Sequence, residues 1–587
     1  MRTFEEIKDI IETGLGKKPC DLCLENVNLV NVFSAEIYKT NIYIKGGRIV
    51  SIDPNVKLEC KEKVDCTGKY AMPGFIDTHM HFESTMLSPE TLADFVVPCG
   101  TTSLFADLME IANVAGEDGL KVMLSSIKSL PYRMLIEVPS RVPTAPGLET
   151  TGAVIDAEGV ERIMQWDEAI SLGELDPSKI LFVKDEYLHK VEKTLARRKI
   201  VNGHAIGRLG QELNVYASSG ISDDHECVNV EELLARLRVG MKVLIREGSS
   251  ERNVEELIAG VLKEGLDFDN LMFCTDDKHT VDMVAEGHIN YNVNRAIALG
   301  VPAIKAIQMA TINAAKHFRM EDEIGSITPG RKADIILCDS IEKIVPTHVY
   351  FAGKLCAKDG KLTQSYKVAK YPDWIKDTVH LKNPITEKSF IVPSKKENGT
   401  TKVNLIELID RQIINNWKTA ELKVENGQIL NDLENDVLKL AVVERYGKTG
   451  GVGIGFVKGF TLECGALAYS MSHDHHNIVV VGANDNDMAI AANVINELHG
   501  GLCVVIDGEV KAKMALPIGG LMSEGSAEEV SKELEIVNDA AVLTGCKLPS
   551  PFMTLSFISL PTVPELGLTD KGLVDVINHK LIDVELD

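Results

Sequence analysis

From about Met72 to Phe318, short apolar runs alternate with helical stretches, and this repeat constrains the fold more than any other feature of the chain. Candidate strands fall at 71–77 (AMPGFID), 101–107 (TTSLFAD), 133–138 (RMLIEV), 167–173 (DEAISLG), 199–204 (KIVNGH), 215–222 (VYASSGIS), 242–248 (KVLIREG) and 270–276 (NLMFCTD). Eight strands within about 250 residues predict an α/β fold, a parallel (β/α)8 barrel.

The flanks have a different texture. Residues 20–70 alternate apolar and polar positions (NVNLVNVF, NIYIKGGRIVSI) around a Gly46-Gly47 turn and predict short antiparallel strands. The same pattern returns between Gly325 and Gly360, so the two stretches are expected to form one composite small β-sandwich domain. The predicted boundaries are 1–70 and 323–365 for its two parts, 71–322 for the barrel, 366–400 for a linker rich in Lys, Pro and Asp, and 401–587 for a C-terminal α/β domain.

Charge and cysteine usage exclude some partners. The 62 Lys and Arg against 86 Asp and Glu leave a net charge of −24, which repels phosphate backbones and anionic lipid. The first twenty residues hold no apolar signal core, and no apolar run reaches the roughly 18 residues of a membrane span. A cytoplasmic protein without nucleic-acid or membrane partners is expected. Twelve scattered cysteines suit reduced, buried thiols rather than a disulfide framework. Cys20 and Cys23 have CxxC spacing, but Cys60 and Cys66 do not repeat it, and the surroundings read as strand.

The strongest chemical signal is Gly74-Phe75-Ile76-Asp77-Thr78-His79-Met80-His81, at the end of the first predicted barrel strand. Strand residues two apart point the same way, so His79 and His81 can offer imidazoles to one ion. Further donors recur at later strand ends, where barrel active sites lie: Glu174, His204, His225 and Asp276. Singly, each has an ordinary structural explanation, such as a helix-capping Asp276, a solvated Glu174 or a satisfied core His204. Jointly, six nitrogen and oxygen ligands on one rim imply two ions, with Mn(II), Fe(II) and Zn(II) all suited to the donor set.

PGFIDTHMH, the strand-end Glu, His, His and Asp, and the closing GSITPGRKADIIL resemble the amidohydrolase superfamily of metal-dependent hydrolases. More narrowly, EIANV at 110–114, GHAIGRLG at 203–210, SGISDDHE at 219–226, REGSSERN at 246–253, FCTDDKH at 273–279 and the C-terminal HDHHNIVVVGAND are similar to the bacterial adenine deaminase family. The resemblance covers essentially the whole chain, including a C-terminal domain that most amidohydrolases lack.

This resemblance implies a binuclear divalent centre, Mn2+ or Fe2+ with Zn2+ as the alternative. His79, His81 and Asp276 would hold one ion, His204 and His225 the other, and Glu174 would bridge them. Asp276, and Glu174 through the bridge, would be the catalytic groups, with Asp276 carrying a proton from water to the leaving amine. The implied reaction is hydrolysis of adenine to hypoxanthine and ammonia in purine salvage, by a homodimer or higher homo-oligomer. Glu83, Glu110, Arg246, Asp277 and His279 would contact the base or orient the ligands. One departure stands out: the family pattern has Pro-His before Glu110, where this chain has Leu108-Met109.

Two other signals need weighing. Gly447-Lys448-Thr449 suggests a phosphate loop, but Val442 stands where the leading glycine belongs. His473, His475 and His476 form either a packed loop or a lid or additional ion site over the barrel mouth. The rival functions are another amidohydrolase reaction, on a different nucleobase or a cyclic amide, and a non-catalytic scaffold.

Overall fold

The computed structural model describes residues 2–249, 251–366, 369–409, 414–562 and 565–586. Its centre is a closed parallel barrel of eight strands: β1 (Phe75–Met80), β2 (Thr101–Asp107), β3 (Arg133–Val138), β4 (Ala169–Leu175), β5 (Ile200–Gly203), β6 (Asp223–Asp224), β7 (Lys242–Arg246) and β8 (Leu271–Cys274). Ladder pairing is continuous from β1 to β5 and from β6 to β8. The first seam, between β5 and β6, is held by Ser222 N donating to Val201 O at 3.0 Å and Gly203 N donating to Asp223 Oδ1 at 3.0 Å. The second, between β8 and β1, is closed where Asp276 N donates to His79 O at 3.0 Å. Ile76, Phe105, Leu135, Ile170, Leu244 and Met272 form one buried cluster with strand residues of this barrel, each buried side chain contributing about 1.5–3 kcal/mol.

Two strand expectations need correction. The run 71–77 splits at Gly74: Tyr70–Pro73 joins the β-domain sheet and Phe75–Met80 the barrel. A Cβ at Gly74 would lie 2.2 Å from Thr102 Oγ1, so the close crossing between the two sheets requires glycine. The run 215–222 is no strand. Gly210–Ser218 is a helix whose buried residues, Leu213 and Tyr216, are three apart, and the sixth strand shrinks to Asp223–Asp224. There the Asp223 carboxylate, accepting from Gly203 N and Asn202 Nδ2, substitutes for missing ladder bonds.

The β-domain is composite. Strands Ile335–Cys338, His348–Phe351, Lys354–Lys358 and Lys361–Leu362 join those between Cys20 and Pro73 in one nine-stranded sheet. Gly46 and Gly47, both at positive φ, make the predicted hairpin turn. The sheet is not wholly antiparallel, because Cys60–Asp65 and Tyr70–Pro73 run parallel to Cys20–Asn31. Cys20 and Cys23 are buried free thiols in that strand; burial, with Cys60 nearby, pushes the Cys20 thiol up to about 12, which disfavours the metal-binding thiolate.

The stretch 366–400, expected as a linker, is packed: Tyr371, Ile375 and Phe390 are buried, and Tyr371 Oη donates to Glu90 Oε2 at 3.0 Å. Its residues 367 and 368 lie outside the described residues. Among the described residues, the C-terminal part holds an eleven-stranded mixed sheet, a separate three-stranded sheet between Leu566 and Ile582, and helices Asp485–Glu497, Ala527–Val542 and Pro551–Phe557. It is bonded to the barrel loops through Asn477 Nδ2 to Thr150 O (2.9 Å), Lys448 Nζ to Thr151 O (2.6 Å) and Ser523 N to Met86 O (2.8 Å). No helix among the described residues is long and apolar enough to cross a membrane.

Candidate metal centre

The closing seam of the barrel also builds the site. Asp77 ties β1 to the residue after β8, its carboxylate accepting from Thr275 N at 3.1 Å and Thr275 Oγ1 at 2.5 Å. His79 and His81 then follow on the same side of the strand, and Asp276, at φ +56°, leaves β8 beside them. The left-handed conformation is one that Asp tolerates better than most side chains.

All six expected ligands come together and all are buried. Nitrogen or oxygen atoms of His79, His81 and Glu174 lie within 4.8 Å of one another, as do those of His79, His225 and Asp276 and those of Glu174, His204 and His225. His79 Nε2 and His81 Nε2 each stand 3.7 Å from Asp276 Oδ1. His204 Nδ1 and His225 Nε2 approach the same Glu174 oxygen, Oε2, at 2.8 and 3.2 Å. Glu174 therefore lies between the two histidine pairs, while Asp276 also groups with His225 across the division expected from sequence.

The imidazoles are aimed from behind. Glu137 Oε2 lies 2.7 Å from His79 Nδ1, and the Asp107 carbonyl oxygen lies 3.1 Å from His81 Nδ1, so each ring presents Nε2 to the centre. His79 Nε2 and both ring nitrogens of His204 are buried without a well-formed hydrogen bond, although His204 Nδ1 faces a carboxylate. Leaving such groups without partners costs about 1–3 kcal/mol each. This donor set, nitrogen and hard oxygen converging on shared points, fits divalent cations.

The charges packed here pull in both directions: against burial, Glu110 raises His81, and Glu174 raises His204 and His225, above the usual imidazole range, a bias that a cation among them would oppose. Burial and the neighbouring His225 and His81 push His79 down to about 3, leaving it neutral and able to ligate. Burial opposes ionisation of Glu174, but Arg141 and His204 outweigh it and hold the carboxyl well below its usual range. Asp276 is likewise held down against burial, by His225 and Arg246.

Three supporting residues escaped the sequence reading. Glu226 Oε1 accepts from Arg246 Nη1 at 2.7 Å and lies 3.3 and 3.2 Å from His204 Nδ1 and His225 Nε2. Arg141 donates to Glu174 Oε1 and faces Asp474 at 3.8 Å. Glu137 ends β3. The available signals were a carboxylate closing an apolar strand, as at Glu174, and a second carboxylate directly after His225.

The five expected substrate contacts divide. Arg246, Glu110 and Asp277 line the cavity in front of the ligands; Glu83 and His279 do not. Arg246 bridges Glu226 and Asp276 Oδ2 (2.9 Å). Burial and the Asp276 carboxylate raise Asp277 to about 8, keeping it protonated near neutral pH, where Ser84 Oγ donates to it. Glu83 is fully buried behind the wall, accepting from Ile111 N at 3.3 Å, and burial pushes its carboxyl well up. His279 stands at the N-cap position of the helix Thr280–Glu286 without a side-chain bond to it, and burial lowers it to about 4. Met109, at the departure from the family pattern, lies on the cavity wall.

The C-terminal domain covers this cavity. His473 and Asp474, in the loop between strands Ala466–Tyr469 and Ile478–Gly482, line it with Phe557 and Leu560. The His473 ring stacks on Phe557 at 4.2 Å. His475 and His476 are fully buried behind it. The Gly447-Lys448-Thr449 segment is already filled: Glu444 accepts from the amides of Tyr446, Lys448, Thr449 and Gly450 at 2.6–3.2 Å, leaving no nest for phosphate.

Comparison with known proteins places the chain. The amidohydrolase family model matches residues 70–379, and the adenine deaminase C-terminal domain model matches residues 412–580. The adenine deaminase of Desulforamulus reducens is 53% identical over 97% of this chain and 97% of its own length. Those of Moorella thermoacetica and Methanococcoides burtonii are each 38% identical over 99% of this chain, covering 98% and 99% of their own. The metal-ligand rim, the match over the barrel and the match over the domain that roofs it lead to one assignment: the chain belongs to the adenine deaminase family of amidohydrolases.

Proposed function

We propose that this chain hydrolyses adenine at C6, giving hypoxanthine and ammonia, on a centre of two divalent cations, manganese or iron with zinc as the alternative. The observation that carries the reading is the convergence of His79, His81, Glu174, His204, His225 and Asp276 on one buried rim, in a chain 53% identical to an adenine deaminase along nearly its whole length. In this reading His79, His81 and Asp276 would hold one cation and His204 and His225 the other, with Glu174 available to both, and the centre would supply a water activated near neutral pH.

The chain's own residues supply orientation and the proton path. Arg246 occupies Asp276 Oδ2, so Oδ1 is the oxygen left facing the imidazoles. That oxygen takes the proton of the attacking water and returns it to the departing amine, a role worth about 10²–10⁴ in rate. Met109, Phe557 and Leu560 offer an apolar wall to the purine faces. Asp277, protonated near neutral pH, can donate a hydrogen bond to a ring nitrogen. The roof of His473, Asp474 and Phe557 excludes water from the reacting carbon. The enzyme is read as a cytoplasmic homo-oligomer serving purine salvage.

Ammonia release from adenine, measured beside cytosine, guanine and dihydroorotate with Mn2+ or Fe2+ present, tests the reading. Turnover confined to adenine is expected. Turnover of another substrate with none of adenine would overturn it in favour of a different amidohydrolase reaction.

A further inference from the structure

A second group of ligating side chains lies where the barrel meets its roof. Glu110 opens the helix Met109–Ile127 of the barrel, whereas His473 and His476 belong to the C-terminal loop above it. One donor atom from each falls within 4.8 Å of the other two, and all three residues are buried. Glu110 Oε1 stands 3.8 Å from His473 Nδ1, and the rings of His473 and His476 cross at 5.5 Å with 68° between their planes.

What makes this cluster unusual is its lack of satisfaction. Neither carboxylate oxygen of Glu110 and neither ring nitrogen of His476 makes a well-formed hydrogen bond, although none of these atoms reaches solvent. The nearest opposing group to Glu110 is His81 Nδ1 at 3.4 Å, and that nitrogen already faces the Asp107 carbonyl. A buried carboxylate beside two buried imidazoles, with Glu110 and His476 short of partners, is unfavourable as it stands. Two imidazoles and one carboxylate also make a donor set that first-row divalent metals accept, with positions left for water. The stack of His473 on Phe557, 2° from parallel, fixes that ring's plane.

We propose that Glu110, His473 and His476 form a third divalent-cation site, separate from the six-residue centre and joining the C-terminal domain to the barrel. The assignment gives Glu110 to a cation rather than to the substrate. It explains why buried histidines occur in a loop that faces a buried barrel carboxylate.

The test is the metal content of the full-length protein. Protein purified from manganese-supplemented cells and desalted into metal-free buffer is analysed by inductively coupled plasma mass spectrometry, with Mn2+ binding followed by calorimetry. The wild type is expected to hold three equivalents per chain, and His476→Gln and Glu110→Gln two each, losing one class of sites in the titration. Thermal melting identifies any variant that fails to fold, and Glu110→Gln, nearly isosteric, then decides alone. A wild type saturating at two equivalents overturns the proposal, as does a third equivalent retained in a folded Glu110→Gln protein. Unchanged metal content with only a raised KM in His476→Gln would make the roof histidines substrate-binding groups and would equally overturn it.

Discussion

Gly203 offers a way to perturb the metal centre without touching a ligand. It ends β5 at the seam with β6, and a Cβ added there would lie 2.1 Å from the Asp223 carbonyl oxygen and 2.9 Å from Ile221 Cγ2. The obstacle is backbone, and Asp223 is held through its side chain, so the strands themselves must part. Restoring ordinary contact requires about 1 Å of separation. Gly203 does not adopt a positive φ, so alanine adds no backbone strain and the effect is steric. His204 is the next residue and His225 lies two beyond Asp223; both reach one oxygen of Glu174, at 2.8 and 3.2 Å. Metal–ligand distances tolerate only about 0.2 Å of error, so this displacement should empty or weaken the site formed by His204 and His225. In Gly203→Ala, kcat/KM for adenine should fall about 10²-fold, roughly 2.7 kcal/mol of barrier. Metal content should drop towards one equivalent fewer per chain, and overpacking should cost about 1–3 kcal/mol of stability. Gly14→Ala is the control, since its Cβ would meet only Val50 Cγ1 at 3.5 Å. Wild-type metal content together with wild-type kcat/KM in Gly203→Ala would refute the placement of the two histidines across this seam.

Other substitutions separate the remaining roles. Asp276→Asn should retain its metal while kcat falls about 10³-fold, and substantial residual kcat would remove Asp276 as the proton carrier. Arg246→Lys keeps the charge but not the guanidinium that donates through Nη1 to Glu226 and Asp276 while Nε donates to Asn253 at 3.0 Å; kcat should fall about tenfold or more with KM little changed, as stopped-time ammonia assays would show. Burial raises Glu149 to about 7, well above an ordinary glutamate, so the native state binds the proton more tightly than the unfolded chain. Wild-type stability should therefore be greatest below about pH 4.5 with respect to this group and fall by about 3 kcal/mol as pH rises to 7. Calorimetric melts of Glu149→Gln should show a Tm advantage over wild type that grows across that window, and a constant difference would count against the burial argument.

The barrel and its rim were legible because both obey short-range rules. Apolar runs separated by helical stretches specify a parallel sheet, strand period two aligns His79 with His81, and the common direction of the strands gathers Glu174, His204, His225 and Asp276 at one end. The errors arose where local pattern and tertiary need diverged. The 215–222 run has strand-like composition, but the Leu213 and Tyr216 spacing and the short β6 belong to a helix followed by two residues of ladder. The 366–400 stretch has linker composition, yet its few apolar residues are enough to pack it down.

What only the tertiary structure decided lies in contacts with no sequence period. Arg141 meets Asp474 across 333 positions, from barrel loop to C-terminal domain, and Glu110 meets His473 in the same way. Glu444 folds back to fill the amides that a Gly-Lys-Thr motif offers to phosphate. By itself the sequence determined which atoms could bind metal, because that depends on residue type and on the regular geometry of strands. Folding decided which of them are buried, which imidazole nitrogen faces inward and what closes the cavity, because these depend on groups brought together only when two domains pack.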